Sequence, residues 1–178
     1  MNLWLGFLPW IVFWTIISRW SVPTGAWISL ALCLIVNIRS FWRRCSKIFE
    51  IGSFIFFFLL CVDIIFIKAQ WLHWWIFTIQ NASLLIIILI SIAAGKSFSE
   101  QYAHDLVARD LWDSPEVIRA CRVINTIWIV SLVVLTVGSV SRVLWAHPVP
   151  WVFSVTHMAI FFPVMQFTNR KLKKLKFA

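Results

Sequence analysis

Apolar residues along this chain neither alternate nor recur with a helical period. They run on in six blocks, residues 3–18, 22–38, 48–67, 71–94, 123–145 and 149–167, and most polar residues fall in the short stretches between. A segment that is hydrophobic on every side has no face for water. A helix crosses about 30 Å of hydrocarbon with roughly 17 to 25 such residues, so the blocks predict an all-α, polytopic transmembrane bundle of six helices. The first two blocks are short for that task. They either cross a locally thinned bilayer or form a shallow hairpin, and five helices is then the alternative.

The first block has no basic region ahead of it and no small-residue cleavage site behind, so it is expected to be retained rather than removed as a signal peptide. Charge between the blocks alternates. Arg39, Arg43, Arg44 and Lys47 follow the second block, Lys96, Arg109, Arg119 and Arg122 the fourth, and Arg170, Lys171, Lys173, Lys174 and Lys176 the sixth. Arg19, Lys68 and Arg142 fall one to each remaining turn. The bias of Lys and Arg toward cytoplasmic loops then predicts both termini and the two longer loops in the cytoplasm. Tryptophan fits this threading: Trp20, Trp71, Trp74, Trp75, Trp145 and Trp151 crowd the outer turns, while Trp42 and Trp112 mark the inner side, at the depth amphipathic rings prefer.

Composition excludes a water-soluble domain, because 61% of the 178 residues are hydrophobic and only 13% are charged. The formal charge of +9 is mostly the loop bias. The basic tail 170–178 is expected to rest on anionic lipid headgroups, at about 1 kcal/mol per cation near the surface. Membrane lipids are therefore expected partners, and nucleic acid is not.

The four cysteines form no CxxC pair and have no metal-ligand spacing. Cys33 and Cys61 lie inside apolar blocks, where a small hydrophobe packs, and a structural disulfide is not expected of Cys45 and Cys121 at a reducing cytoplasmic edge. Cys45 and Cys121 each precede a long apolar block, a Trp-bearing turn, a returning block and a charged stretch. Superposing Glu50 on Asn125 brings Gly95 within one residue of Asn169, so 45–95 and 115–169 read as one hairpin used twice, with 1–40 a shorter third copy. Copies entering from one side are related by an axis along the membrane normal. The chain is thus expected to form a single integral membrane domain, 1–178.

The segment between the fourth and fifth blocks has the most individual composition. Ser97 and Glu100 have the spacing of a capping box, and Phe98, Tyr102 and Leu106 recur every four residues. This predicts a short interfacial helix over 97–111 on the cytoplasmic side, with Glu100, Asp105 and Arg109 toward water; Phe98, Glu100, Tyr102, Asp105 and Arg109 form a candidate interaction surface. Ser114, Pro115 and Glu116 then suit the N-cap and first turn of the next helix, which is expected to run through Arg119 and Arg122 into the membrane. Glu100, His104 and Asp105 lack a second His in register, so surface pairing explains them better than a metal site, and no metal or cofactor is expected.

The run GKSFSEQYA from Gly95, the WDSP from Trp112 and the R-x-x-R-x-I-N-x-x-W from Arg119 to Trp128 resemble motifs of small bacterial inner-membrane proteins similar to intracellular septation protein A. The likeness is strongest from Gly95 to Trp128. It implies a multi-pass protein of the bacterial inner membrane tied to envelope or division functions, and it carries no catalytic residues.

Polar residues inside the blocks are the remaining clue, since a carboxylate at mid-bilayer costs about 2.5 to 3.5 kcal/mol on insertion scales. Asp63 lies four residues before Ile67, about 6 Å below the outer end of its helix at 1.5 Å per residue. Gln80, Asn81, Thr156 and His157 lie in the outer half or near mid-depth, where with Asp63 they are candidates to line a cavity, Asp63 and His157 acting as a proton-responsive pair. Interhelical hydrogen bonding, at about 0.6 kcal/mol per contact, explains the same residues without a cavity. With no nucleophile motif, no HExxH and no phosphate loop, enzymology has little support. The expected function is that of a non-enzymatic envelope or division component acting through lipid and protein contacts. The alternatives are a small transporter or lipid-handling protein, expected as a homo-oligomer because six short helices enclose little space, and then an enzyme on lipid-linked substrates.

Overall fold

The computed structural model describes residues 3–42, 47–69, 71–105, 107–144 and 150–175. Expectations for Arg43, Arg44, Cys45, Leu106, Trp145 and Lys176 fall outside those residues. Seven α-helices and no strand occur among the described residues: α1 (Leu3–Ile17), α2 (Val22–Trp42), α3 (Ile48–Val62), α4 (Leu72–Ala93), α5 (Phe98–Ala103), α6 (Pro115–Leu144) and α7 (Pro150–Leu175). A π turn, Asp63–Ile67, prolongs α3 and ends at Lys68, whose left-handed backbone (φ 51°) turns the chain. The block expected from 123 is the later part of α6. That helix begins eight residues earlier, at Pro115, where the Ser114 hydroxyl accepts the Val117 amide at 3.3 Å.

Ile48–Ile67, Trp74–Ala93 and Pro115–Leu144 are long and apolar enough to cross a bilayer. The 15-residue α1 and the apolar stretch Val22–Ile38 are shorter. Length and apolarity thus support three of the six expected crossings outright. What the short first helix does is seen in its packing: seven of its residues are buried, Leu3, Gly6, Phe7, Pro9, Trp10, Phe13 and Trp14.

Phe7 stands at the centre. Its ring stacks on Trp128 of α6 at 4.7 Å between centroids, tilts against Phe49 of α3 at 4.4 Å, and meets Phe161 of α7 edge-on at 5.5 Å. One turn along, Trp10 stacks on Phe56 at 4.8 Å and donates its indole N–H to Ser53 Oγ at 2.8 Å. Another turn on, Phe13 lies edge-on to Phe57 and Trp14 edge-on to Phe161. From α2, Ser29 donates to the Pro9 carbonyl at 3.0 Å. Lipid tails are as apolar as these side chains, so burial from water does not hold the helices together; ring packing and interhelical hydrogen bonds do. Contacts of this kind tie α1 to its neighbours whatever its length.

The outward-facing apolar positions are correspondingly clear. Val130, Val133, Val134 and Val137 of α6, Ile55, Phe58 and Leu59 of α3, and Ile86, Leu89 and Ile90 of α4 are exposed. Trp20, Trp71 and Trp74 are exposed as an interfacial belt requires, whereas Trp10, Trp14 and Trp128 are core residues.

Phe7→Ala is expected to cost about 3 kcal/mol through the cavity it leaves. Phe58→Ala, on the lipid face, is expected to leave stability nearly unchanged. Thermal unfolding of both variants in detergent checks the difference.

Candidate functional site

After α4 the chain turns at Gly95, whose φ of +70° admits no side chain without strain. Ser97 and Glu100 form the expected capping box: the Glu100 amide donates to Ser97 Oγ, and the Ser97 amide to Glu100 Oε2 at 3.1 Å. The helix they open is not the expected one. It spans Phe98–Ala103 rather than 97–111, and the chain beyond it turns and makes one 3-10 turn, Arg109–Leu111. Nor does its apolar face lie on lipid. Phe98 and Tyr102, 0% and 1% exposed, point into the bundle, so neither belongs to a contact surface.

Small residues beside those rings let α5 come close. Ser99, fully buried, donates to Asn125 Oδ1 at 2.7 Å on α6, and Ala103 is buried next to it. Phe98 packs against Phe7, Phe49 and Trp128. Tyr102 reaches α1 at Gly6, where a methyl group would collide with its hydroxyl and lie 3.1 Å from Cζ. That hydroxyl donates to Glu50 Oε1 at 3.5 Å. Burial, and then the charges of Glu50 and Asp105, push the phenol well above its ordinary value, so it stays protonated and able to donate. Glu50 and Asn125, the two positions superposed in the sequence comparison, thus each accept from a hydroxyl of α5. The backbone carbonyl of Glu50 also accepts from Asn37 of α2 at 3.2 Å.

Lys47, 4% exposed just before α3, lies 3.7 Å above the centre of the Tyr102 ring and pairs with Asp105 at 2.5 Å. Partial burial pushes the Asp105 carboxyl up, but the hydrogen bond and charge of Lys47 help hold it below its usual range. Gln101 clamps the same junction, accepting from the Ile48 amide at 2.8 Å and donating to the Lys96 carbonyl at 2.6 Å. Around these contacts opens a cleft of about 500 Å³ lined by Lys47, Lys96, Gln101, His104, Asp105 and Arg109, with Val107 and Trp112 behind. Trp112 stacks on His104 at 4.0 Å, carries Arg109 at 5.7 Å and donates its indole N–H to the Val107 carbonyl at 3.2 Å.

Between α4 and α7, two of the expected polar residues meet. His157 Nε2 lies 2.8 Å from Asn81 Nδ2 and 3.1 Å from Asn81 Oδ1, with both residues buried. Phe77 and Trp14 flank the imidazole. Gln80 is fully buried beside Asn81 in sequence, and neither polar atom of its carboxamide has a hydrogen-bond partner among the described residues. Thr156 is exposed, and Asp63 is half-buried at the head of the π turn. No hydrogen bond or ion pair joins Asp63 to His157 among the described residues; Asn81 takes the place expected of Asp63. No three His, Cys, Asp or Glu side chains gather as metal ligands among the described residues.

No protein-family model, curated protein or solved structure matches the chain. The GKSFSEQYA run nevertheless acquires a physical reading. Gly95 turns the chain, Ser97 and Glu100 cap α5, Phe98 and Tyr102 fill the core, Ser99 and Gln101 tie α5 to α6 and α3, and Lys96 lines the cleft. Sequence reasoning missed the importance of Lys47, Glu50 and Gly6. A lysine and a glutamate bracketing the start of an apolar block, and a glycine within an aromatic run, were the available signals.

Gly6→Ala is expected to destabilise the protein by about 1–3 kcal/mol through overpacking against Tyr102, with part of the loss recovered in Gly6→Ala/Tyr102→Phe. Unfolding midpoints of the two variants check it. The Lys47–Asp105 tie has its own pH signature. Because the carboxyl is lowered on folding, its contribution is present at neutral pH and lost as pH falls through the lowered value. Asp105→Asn should therefore show a weaker acid dependence of unfolding temperature than the parent chain.

Proposed function

We propose that this chain is a non-enzymatic, multi-pass component of the bacterial inner membrane that works through lipid and protein contacts, in the envelope or in division. Its six longer helices cross the bilayer, α1 inside the others, with both termini in the cytoplasm. One observation carries the reading over transport: aromatic rings close the bundle at the end where α5 inserts. Phe7, Phe49, Phe98, Trp128 and Phe161 are each at most 2% exposed and pack on one another across the bundle axis, where a permeation path would run. A protein closed in this way offers its ends and its lipid face instead. Its charged groups gather accordingly, with Lys47 from one basic loop and Lys96 and Arg109 from another on a single cleft. That convergence supports placing both loops on one side, as the bias of basic residues predicts. The resemblance of Gly95 to Trp128 to septation-protein-A-like sequences supports the envelope role.

A second reading has an observation of its own. Gln80, with its buried unpartnered carboxamide, and the Asn81–His157 pair make the outer half polar enough to hold water or a small polar ligand, as a lipid-handling protein would require.

Reconstituted vesicles separate the two. Proton flux and exchange of fluorescent phosphatidylglycerol are expected to stay at the level of protein-free vesicles, while gentle extraction from the native membrane retains an envelope protein. Flux or lipid exchange that His157→Ala abolishes would contradict the contact reading.

A further inference from the structure

The cleft beside α5 is charged out of balance. Lys47, Lys96 and Arg109 face one carboxylate, Asp105, which is already engaged with Lys47. Among the described residues neither Lys96 nor Arg109 has a carboxylate partner. Its depth is also informative. Lys47 directly precedes the span Ile48–Ile67, and Lys96 follows the span Trp74–Ala93 by three residues, so both ammonium groups sit where hydrocarbon gives way to headgroups.

The walls are set in advance. Gln101 fixes the Lys96 backbone to the start of α3 through its two hydrogen bonds. Trp112 is held by the Val107 carbonyl on one side and the His104 ring on the other, and it backs Arg109. Groups already held in place lose little freedom when a ligand arrives. A volume of about 500 Å³ is within the usual range for a small-molecule site. The donors present, a guanidinium fork and two ammonium groups with the Gln101 carboxamide nearby, match the oxygens of a phosphate.

We propose that this cleft binds the phosphate of an anionic lipid headgroup in the cytoplasmic leaflet, with Asp105 the resident counter-ion that the phosphate displaces from Lys47. The proposal rests on the threading given above and names the lipid that the basic end contacts. Lys96 and Arg109 supply the two unbalanced charges, and Lys47 becomes the third once Asp105 swings away. The chemistry selects phosphate over zwitterionic headgroups because a choline or ethanolamine cation would face the same three positive groups.

The test uses the full chain in mixed micelles with phosphatidylglycerol or phosphatidylcholine, and native mass spectrometry to count retained lipid. High salt, about 0.5 M, screens diffuse contacts of the exposed tail. The parent chain is expected to retain phosphatidylglycerol in preference to phosphatidylcholine. Lys96→Gln/Arg109→Gln, both at exposed positions, should weaken that retention about tenfold or more. Lys171→Gln/Lys173→Gln/Lys174→Gln should leave it unchanged, and Asp105→Asn should tighten it. Equal retention of the two lipids, or equal losses in cleft and tail variants, overturns the proposal. So does displacement of the lipid by millimolar inorganic phosphate, which would assign the site to a soluble anion. Vesicle flux is read separately: flux without lipid selectivity sinks both readings, whereas absent selectivity without flux sinks the cleft alone.

Discussion

Everything in this bundle turns on a short helix held inside longer ones. The Phe7 ring touches α3, α5, α6 and α7 at once, through Phe49, Phe98, Trp128 and Phe161. Aromatic pairs in offset or edge-on geometry add about 0.5–1.5 kcal/mol each beyond simple contact. In a bilayer, where helices gain nothing by hiding from lipid, such packing is what makes one arrangement preferable to others. The hydrogen bonds follow its lines: Trp10 to Ser53 fastens α1 to α3, Ser29 to Pro9 fastens α2 to α1, and Trp128 to Thr168 fastens α6 to α7 at 3.0 Å.

The second constraint is that α5 must insert. A six-residue helix has no stability of its own. It persists here because its capping box satisfies the first amides, Phe98 and Tyr102 fill the space under Phe7 and Gly6, and Ser99 finds Asn125. Insertion also places Asp105 and the following turn over Lys47. The cleft exists because the core accepts Phe98 and Tyr102, so packing and the candidate binding surface are one feature seen from two sides.

The membrane character and the helix positions were legible because apolar blocks record them directly. Leu3, Val22 and Ile48 begin their helices as expected, and the capping box of Ser97 and Glu100 formed as its spacing predicts. Burial of α1 was not legible, because an apolar helix facing lipid and one facing protein have the same composition. The direction of Phe98 and Tyr102 was hidden for the same reason: a periodic apolar face docks on lipid or on protein alike. Asn81 and His157 were both candidates, yet their pairing needed the fold, since nothing in the order of residues sets that turn of α4 against α7. Lys47 and Glu50 looked like ordinary helix-end charges until α5 covered them.

The most direct measurement is carbene photolabelling from within the bilayer, with labelled sites read by mass spectrometry. If α1 runs inside the bundle, Phe7, Trp10 and Phe13 stay unlabelled while Val130, Val133, Val134 and Val137 of α6 are labelled strongly. Labelling of α1 as heavy as that of α6 would place the first helix against lipid and contradict the account.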